Sequence, residues 1–145
     1  GLAVACDFRI GDSRTKMGIP AARLSVVYSI EETQMLATVV GASNAKRILF
    51  SADYFEAEEA AELNLLDEIV DDPMAASLAF AAHIAERAPL SVRGAKVAIN
   101  AISAGKIADV RDGYEDLRAV ASDSYDYNEG RVAFMEKRKP VFKGE

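Results

Sequence analysis

Residues 122 to 140 read SDSYDYNEGRVAFMEKRKP, and they form the most distinctive stretch of the chain. The apolar residues at its centre predict a last helix. From residue 131 to residue 143, five basic residues are opposed by Glu136 alone, and Phe134 and Phe142 are interleaved with them. A compact basic segment of this kind suits a phosphate-bearing ligand.

The chain before this stretch predicts further helices. Residues 75 to 88 are rich in alanine, which is a strong helix former. Pro89 begins the next helix and Gly105 ends it. Two apolar stripes at helical spacing mark this helix and the one that follows it: Val92, Ala95, Ile99 and Ile102, then Val110, Tyr114, Leu117 and Ala121.

The first half of the chain alternates short strands and helices. Hydrophobic alternation and turn residues predict extended segments over residues 7 to 10, 17 to 20 and 65 to 70. Ser29, followed three residues later by Glu32, fits a capping box. We therefore predict a helix from Ile30 to about Val40, and Gly41 fits its end. Shorter helices are predicted over residues 44 to 50 and 56 to 64.

Composition excludes several classes of protein. The 145 residues include 17 Lys plus Arg against 23 Asp plus Glu, and the net charge of −6 disfavours nucleic acid as a partner. One His and one Cys cannot build a zinc site from those ligand types. An all-carboxylate metal site remains open, but there is no EF-hand loop, and no metal is expected. No apolar stretch approaches the roughly 20 residues that span a bilayer, so no membrane partner is expected.

The start of the chain bears on its location and its completeness. No signal peptide is visible, and we predict a cytoplasmic protein. The chain opens on Gly1 and has no initial Met, so it reads as a piece of a longer protein.

Four stretches resemble motifs of one family, the crotonase superfamily of enoyl-CoA hydratases and isomerases. They are ACDFRI at residues 5 to 10, FEAEEAAELNLL at 55 to 66, APLS with a following AK at 88 to 96, and the stretch at 122 to 140. The resemblance implies an α/β fold. Residues 1 to 72 would form the C-terminal part of a ββα superhelix, and residues 73 to 145 a helical region for oligomerisation and coenzyme A contact.

The resemblance also implies a chemistry. Family members act on acyl-CoA thioesters through an enolate, which two backbone N–H groups in an oxyanion hole stabilise. Most of that hole would lie outside residues 1 to 145, so these residues alone are expected to be inactive. Coenzyme A is part of the substrate, so no separate cofactor is expected. The assembly would be a homotrimer or a homohexamer.

The hydratases of the family hold their water with two glutamates. In register, those positions fall on Gly1 and Ala21, and neither residue can transfer a proton. Hydration by a glutamate pair is therefore not expected. Isomerisation or a methylmalonyl-CoA decarboxylase-like reaction is one alternative. A non-catalytic homologue that binds acyl-CoA or supports assembly is another, and an RNA-binding relative is a third that the negative charge disfavours.

Tyr28 and Glu31 are the candidate catalytic residues. By the resemblance, both lie in a loop that borders the acyl pocket, and Tyr28 matches a tyrosine of methylmalonyl-CoA decarboxylase-like members. A phenol can hydrogen-bond a carboxylate or an enolate without being a strong base. The alternatives are that Tyr28 only packs, and that Glu31 and Glu32 only interact with the helix dipole.

Phe134 and Lys137 are the candidate coenzyme A contacts. They match family residues that reach the coenzyme A of a neighbouring subunit, and their spacing puts both on one face of a helix. Aromatic stacking on adenine and a cation near phosphate suit that ligand. The alternative is a core Phe and a solvated Lys. We expect Cys6 to be a small buried residue and His83 to be structural or solvated.

Overall fold

The computed structural model describes residues 1–145, which divide into two compact units, residues 1–78 and 79–145. The first unit contains α1 (Leu2–Ala5), β1 (Ile10–Gly11), β2 (Lys16–Gly18), a 3₁₀ turn (Ala21–Arg23), α2 (Ile30–Ser51), β3 (Tyr54–Glu56), α3 (Ala57–Glu62) and β4 (Glu68–Ile69). Helix α4 (Pro73–Ala85) contains the boundary. The second unit contains α5 (Pro89–Ala104), α6 (Ile107–Ser122) and α7 (Tyr125–Glu136).

The strands form two small ladders. Strand β1 runs parallel to β4, and β2 runs antiparallel to β3. The first pair is shorter than the sequence predicts, and backbone bonds flank it on both sides: the Asp67 amide donates to the Arg9 carbonyl and the Val70 amide to the Gly11 carbonyl, each at 2.8 Å. The Arg9 amide donates to Asp67 Oδ2 at 2.6 Å, and the Arg9 guanidinium lies 2.9 Å from Asp67 Oδ1.

Helix α2 begins as the sequence predicts, and a kink at Gly41 divides it into two helical parts. The Ser29 hydroxyl accepts from the Glu32 amide while the Glu32 carboxylate accepts from the Ser29 amide, which confirms the capping box. The prediction that Gly41 ends the first helix is confirmed, because Gly41 adopts φ 78° and ψ 158°, outside the helical region. A second helical part follows this kink and continues to Ser51, and it contains the helix predicted over residues 44 to 50.

We expect Ser29→Ala to lower the free energy of unfolding by about 1 kcal/mol, because the Glu32 amide loses its partner at the start of α2. Ser29→Thr retains a hydroxyl and serves as the control. Urea unfolding of the three proteins measures the difference. Equal stability of the Ala and Thr variants would contradict a role for the cap.

The core of the first unit forms where α2 meets α3 and the second ladder. Leu36, Ile48, Phe55 and Ala57 are all less than 5% exposed. Gly18 allows the close approach of β2 and β3, because a Cβ at that position would lie 2.3 Å from the Asp53 carbonyl oxygen. This packing fixes the path of the chain that leads from β2 into the 3₁₀ turn.

The second unit is helical throughout. Helix α5 packs on α6, and α6 contacts α7. Gly105 ends α5 in the left-handed region at φ 68°, as the sequence predicts. Part of the predicted apolar stripe of α5 is exposed, since Ile99 and Ile102 are 61% and 64% accessible. Burial of that stripe by another subunit stays a prediction.

Candidate functional site

The segment between the 3₁₀ turn and α2 places Tyr28 at the edge of the core. Ala21 is 7% exposed and belongs to the buried cluster, so the start of the segment is anchored. Tyr28 is half-buried and packs against the same cluster. Val27 and Ile30 beside it are 94% and 81% exposed. Tyr28 therefore has an anchored ring within an otherwise open apolar segment.

Glu31 and Glu32 differ in their surroundings in the structure. The Glu32 carboxylate is committed to the capping box with Ser29. Glu31 lies exposed in the first turn of α2, outside that box. Tyr28 and Glu31 thus occupy the same end of α2, one just before its N-cap and one just after.

The two positions that the resemblance assigns to glutamates lie at the start of two elements that contact α2. Gly1 is the N-cap of α1, and both α1 and the 3₁₀ turn that begins with Ala21 contact α2. The Ala21 methyl group is buried in the core. At the position that the resemblance assigns to one glutamate, the structure therefore places a buried apolar side chain, which cannot transfer a proton.

The second candidate site lies at the end of α7. Phe134 is 86% exposed, and Lys137 is exposed as well. Helix α7 ends at Glu136, and Lys137 is its C-cap in the left-handed region at φ 55°. The prediction that both residues share one face of a continuous helix is therefore wrong, because the helix has ended before Lys137.

Phe134 borders a cleft of about 500 Å³ in the second unit. Residues from the start of α5, the end of α6, α7 and the following tail line it, among them Ser91, Ser122, Tyr127, Arg131, Phe134 and Phe142. The Arg131 guanidinium lies 5.7 Å from the Tyr127 ring centroid. The cleft thus combines aromatic surface with one basic residue, Arg131, and one acidic residue, Asp126.

Two carboxylates of α7 hold the chain after the helix, and the sequence analysis missed both. Asp126 is 3% exposed and accepts from the amides of Lys143 and Gly144 at 2.7 and 2.8 Å. Glu129 accepts from both terminal nitrogens of Arg138 at 2.6 and 2.9 Å. Glu129 therefore already neutralises part of the positive charge of the basic segment.

These contacts give Glu129 an unusual acidity. The hydrogen bonds from Arg138, and then the one from the Val141 amide, lower the pKa of Glu129 to about 2. A carboxyl whose pKa is lowered by folding stabilises the protein above its ordinary pKa of about 4.3, and this stabilisation is lost progressively as the pH falls from that value through the folded pKa of about 2.

We expect Glu129→Gln to lose more stability relative to the wild type at pH 5 than at pH 3. The wild-type contribution is present at pH 5 and shrinks as the pH falls from about 4.3 toward 2, whereas Gln does not titrate. Urea unfolding of both proteins at the two pH values measures this difference. A gap that stays constant with pH would contradict the assignment.

Two further features bear on the kind of site. No group of three His, Cys, Asp or Glu side chains is placed to hold a metal ion. None of the helices combines the length and the apolar composition that crossing a membrane requires.

Comparison with known proteins points to a single family. The sequence model of the enoyl-CoA hydratase/isomerase family matches residues 1–145. The mitochondrial methylglutaconyl-CoA hydratase of Mus musculus is 33% identical, over 99% of this chain and 48% of that protein. The crotonyl-CoA hydratase of Syntrophomonas wolfei is 33% identical, over 97% of this chain and 55% of that protein.

A solved structure agrees with these relatives. An enoyl-CoA hydratase/isomerase family protein from Hyphomonas neptunium superposes with a TM-score of 0.89 at 32% identity, covering 99% of this chain and 55% of that chain. The chain spans about half the length of the relatives it matches. The likeness confirms the predicted α/β fold and its correspondence to part of a crotonase fold. The chain belongs to the enoyl-CoA hydratase/isomerase family, within the crotonase superfamily.

Proposed function

We propose that the whole protein is an acyl-CoA enzyme that works through a thioester enolate in an oxyanion hole. Family membership supports this proposal, as do relatives whose names describe hydration of methylglutaconyl-CoA and crotonyl-CoA. An oxyanion hole of two backbone N–H groups is the usual way to stabilise the charge that develops on the thioester oxygen. We place most of that hole outside residues 1–145.

The reaction we propose does not use a glutamate pair. The observation that carries this step is the buried methyl group of Ala21 at one glutamate position, with the half-buried Tyr28 seven residues later. Decarboxylation suits this arrangement. The bond to the departing carboxylate breaks, its electron pair enters the enolate as CO2 leaves, and a proton from water then completes the new C–H bond.

Tyr28 would serve this reaction by orienting the substrate. Its phenol can donate a hydrogen bond to the substrate carboxylate or to the enolate. Loss of CO2 itself generates the enolate, so no strong base has to remove a proton. Glu31, exposed at the start of α2, would have the lesser role.

A non-catalytic homologue that binds acyl-CoA or supports assembly is the second candidate. The same Ala21 methyl group favours it, because this side chain cannot act as an acid or base. Turnover of a panel of CoA thioesters by the whole protein separates the two candidates. Binding without any turnover would favour the second.

Phe134 and Lys137 are the coenzyme A contacts of this proposal. We expect Phe134→Ala to weaken coenzyme A binding about tenfold at any salt concentration, since stacking on the adenine is lost. Lys137→Ala should weaken binding about fivefold at low salt and less at high salt, because the lost charge is screened. Calorimetric titration of the whole protein with coenzyme A measures both effects.

Met135→Ala is the matched control for these variants, because Met135 is 81% exposed and neighbours Phe134 in sequence. It should leave the affinity unchanged. Unchanged affinity in the Phe134 and Lys137 variants as well would leave both residues with a packing or solvated role only.

The assembly and the location belong to the same proposal. We propose a homotrimer or homohexamer, in which the exposed stripe of α5 is covered, and analytical ultracentrifugation of the whole protein tests it. A monomer at micromolar concentration would contradict it. The cytoplasmic location stays a prediction, and the relative from Mus musculus is named as mitochondrial.

A further inference from the structure

We propose that Glu129 is a positioning residue for coenzyme A, fixing the backbone that carries Lys137. The inference rests on the proposed function, in which Lys137 contacts the coenzyme A phosphates. Glu129 lies on α7 and has no contact with the ligand in this proposal. It affects coenzyme A binding only by holding the chain that carries Lys137.

The Glu129 carboxylate holds the chain after Lys137 through the side chain of Arg138 and the backbone amide of Val141. Its two oxygens accept from the two terminal nitrogens of Arg138, the residue after Lys137, at 2.6 and 2.9 Å. We call this two-bond ion pair the fork. One of these oxygens also accepts from the Val141 amide at 2.9 Å. The Glu129 side chain is 10% exposed and the Arg138 side chain is 40% exposed, so the carboxylate is shielded from water while the guanidinium is partly open. A single carboxylate thus anchors two points of the tail.

Lys137 itself needs such an anchor. It stands at φ 55°, a left-handed conformation that a residue with a Cβ adopts uncommonly. The helix holds it from one side, where the Lys137 amide donates to the Phe134 carbonyl and the Arg138 amide to the Ala133 carbonyl. The fork holds it from the other side. Release of the fork would let the cap reopen and the ammonium group move.

The direction of the change in coenzyme A affinity separates a positioning role of Glu129 from a simple effect of its charge. Removing a negative charge near a phosphate site raises the local potential and by itself strengthens anion binding. Loss of positioning weakens it. A variant with Gln at position 129 therefore gives opposite results under the two explanations.

The test is calorimetric titration of the whole protein with coenzyme A. We expect Glu129→Gln to weaken binding about threefold to fivefold, a share of the Lys137 contribution. In turnover assays, the same variant should raise KM and leave kcat unchanged. In a Lys137→Ala background, Glu129→Gln should cause no further loss, because it acts through the side chain that is already missing.

Two more variants complete the experiment. Glu86→Gln removes an exposed ion pair to Lys139 that holds only a side chain of the same tail, and it should leave the affinity unchanged. Arg138→Lys keeps the charge and loses the fork, so it should reproduce the loss seen with Glu129→Gln even if the latter folds poorly.

The outcomes distinguish a failure of the positioning role of Glu129 from a failure of the proposed function. Unchanged or tighter binding by Glu129→Gln, or a further loss in the Lys137→Ala background, would overturn the positioning role alone. Lys137→Ala without any loss would instead contradict the coenzyme A contact in the proposed function, and the positioning role would fail with it.

Discussion

The whole protein is expected to hydrate crotonyl-CoA about 100- to 10,000-fold more slowly than an enzyme with a glutamate pair, the range that general acid–base groups contribute. This expectation depends on the resemblance, which assigns one glutamate position of the hydratases to Ala21, and the Ala21 methyl group is buried in the core. The crotonyl-CoA hydratase of Syntrophomonas wolfei, assayed under the same conditions, provides the reference rate.

The same assay series assigns the roles of Tyr28 and Glu31. Tyr28→Phe removes only the hydroxyl and should slow the true reaction about 10- to 100-fold, the scale of one hydrogen bond to a charged group. Glu31→Gln, the matched control on the first turn of α2, should cost less. Fast hydration of crotonyl-CoA that Tyr28→Phe leaves unaffected would contradict this account and restore an ordinary hydratase.

Residues 1–145 alone are expected to turn over acyl-CoA at least about 100- to 1,000-fold more slowly than the whole protein, because removal of a single oxyanion-hole donor costs this much in other enzymes. The proposal places the first donor outside these residues. Comparison of the two proteins on the same thioester measures the difference, and circular dichroism of residues 1–145 shows whether they are folded. Robust turnover by residues 1–145 would show that the register or the reaction is wrong.

Local signals in the sequence predicted the helix ends best. Ser29 and Glu32 form the predicted cap because both partners lie within one turn. Gly105 ends α5 because it adopts the left-handed conformation, and the Lys106 amide then donates to the Ala101 carbonyl. Gly41 likewise leaves the helical region and ends the first part of α2, and Val40 and Ala45 on either side of the kink belong to the same core.

The tail after α7 could not be predicted in the same way. Its anchors join residues that lie far apart in sequence, as in the Asp126 carboxylate with the amides of Lys143 and Gly144. Such bonds depend on the path that the chain takes after Lys137, and composition carries no signal for that path. The motif that the sequence presents as a basic run is, in the structure, partly neutralised by Glu129.

The most direct test of the proposed reaction is product analysis of the whole protein with two thioesters, crotonyl-CoA and methylmalonyl-CoA, in parallel. We predict release of CO2 from methylmalonyl-CoA at a rate well above the hydration of crotonyl-CoA, with Tyr28→Phe slowing the release. Binding of both thioesters without conversion of either would contradict an enzyme that works through an enolate and would leave a protein that only binds acyl-CoA.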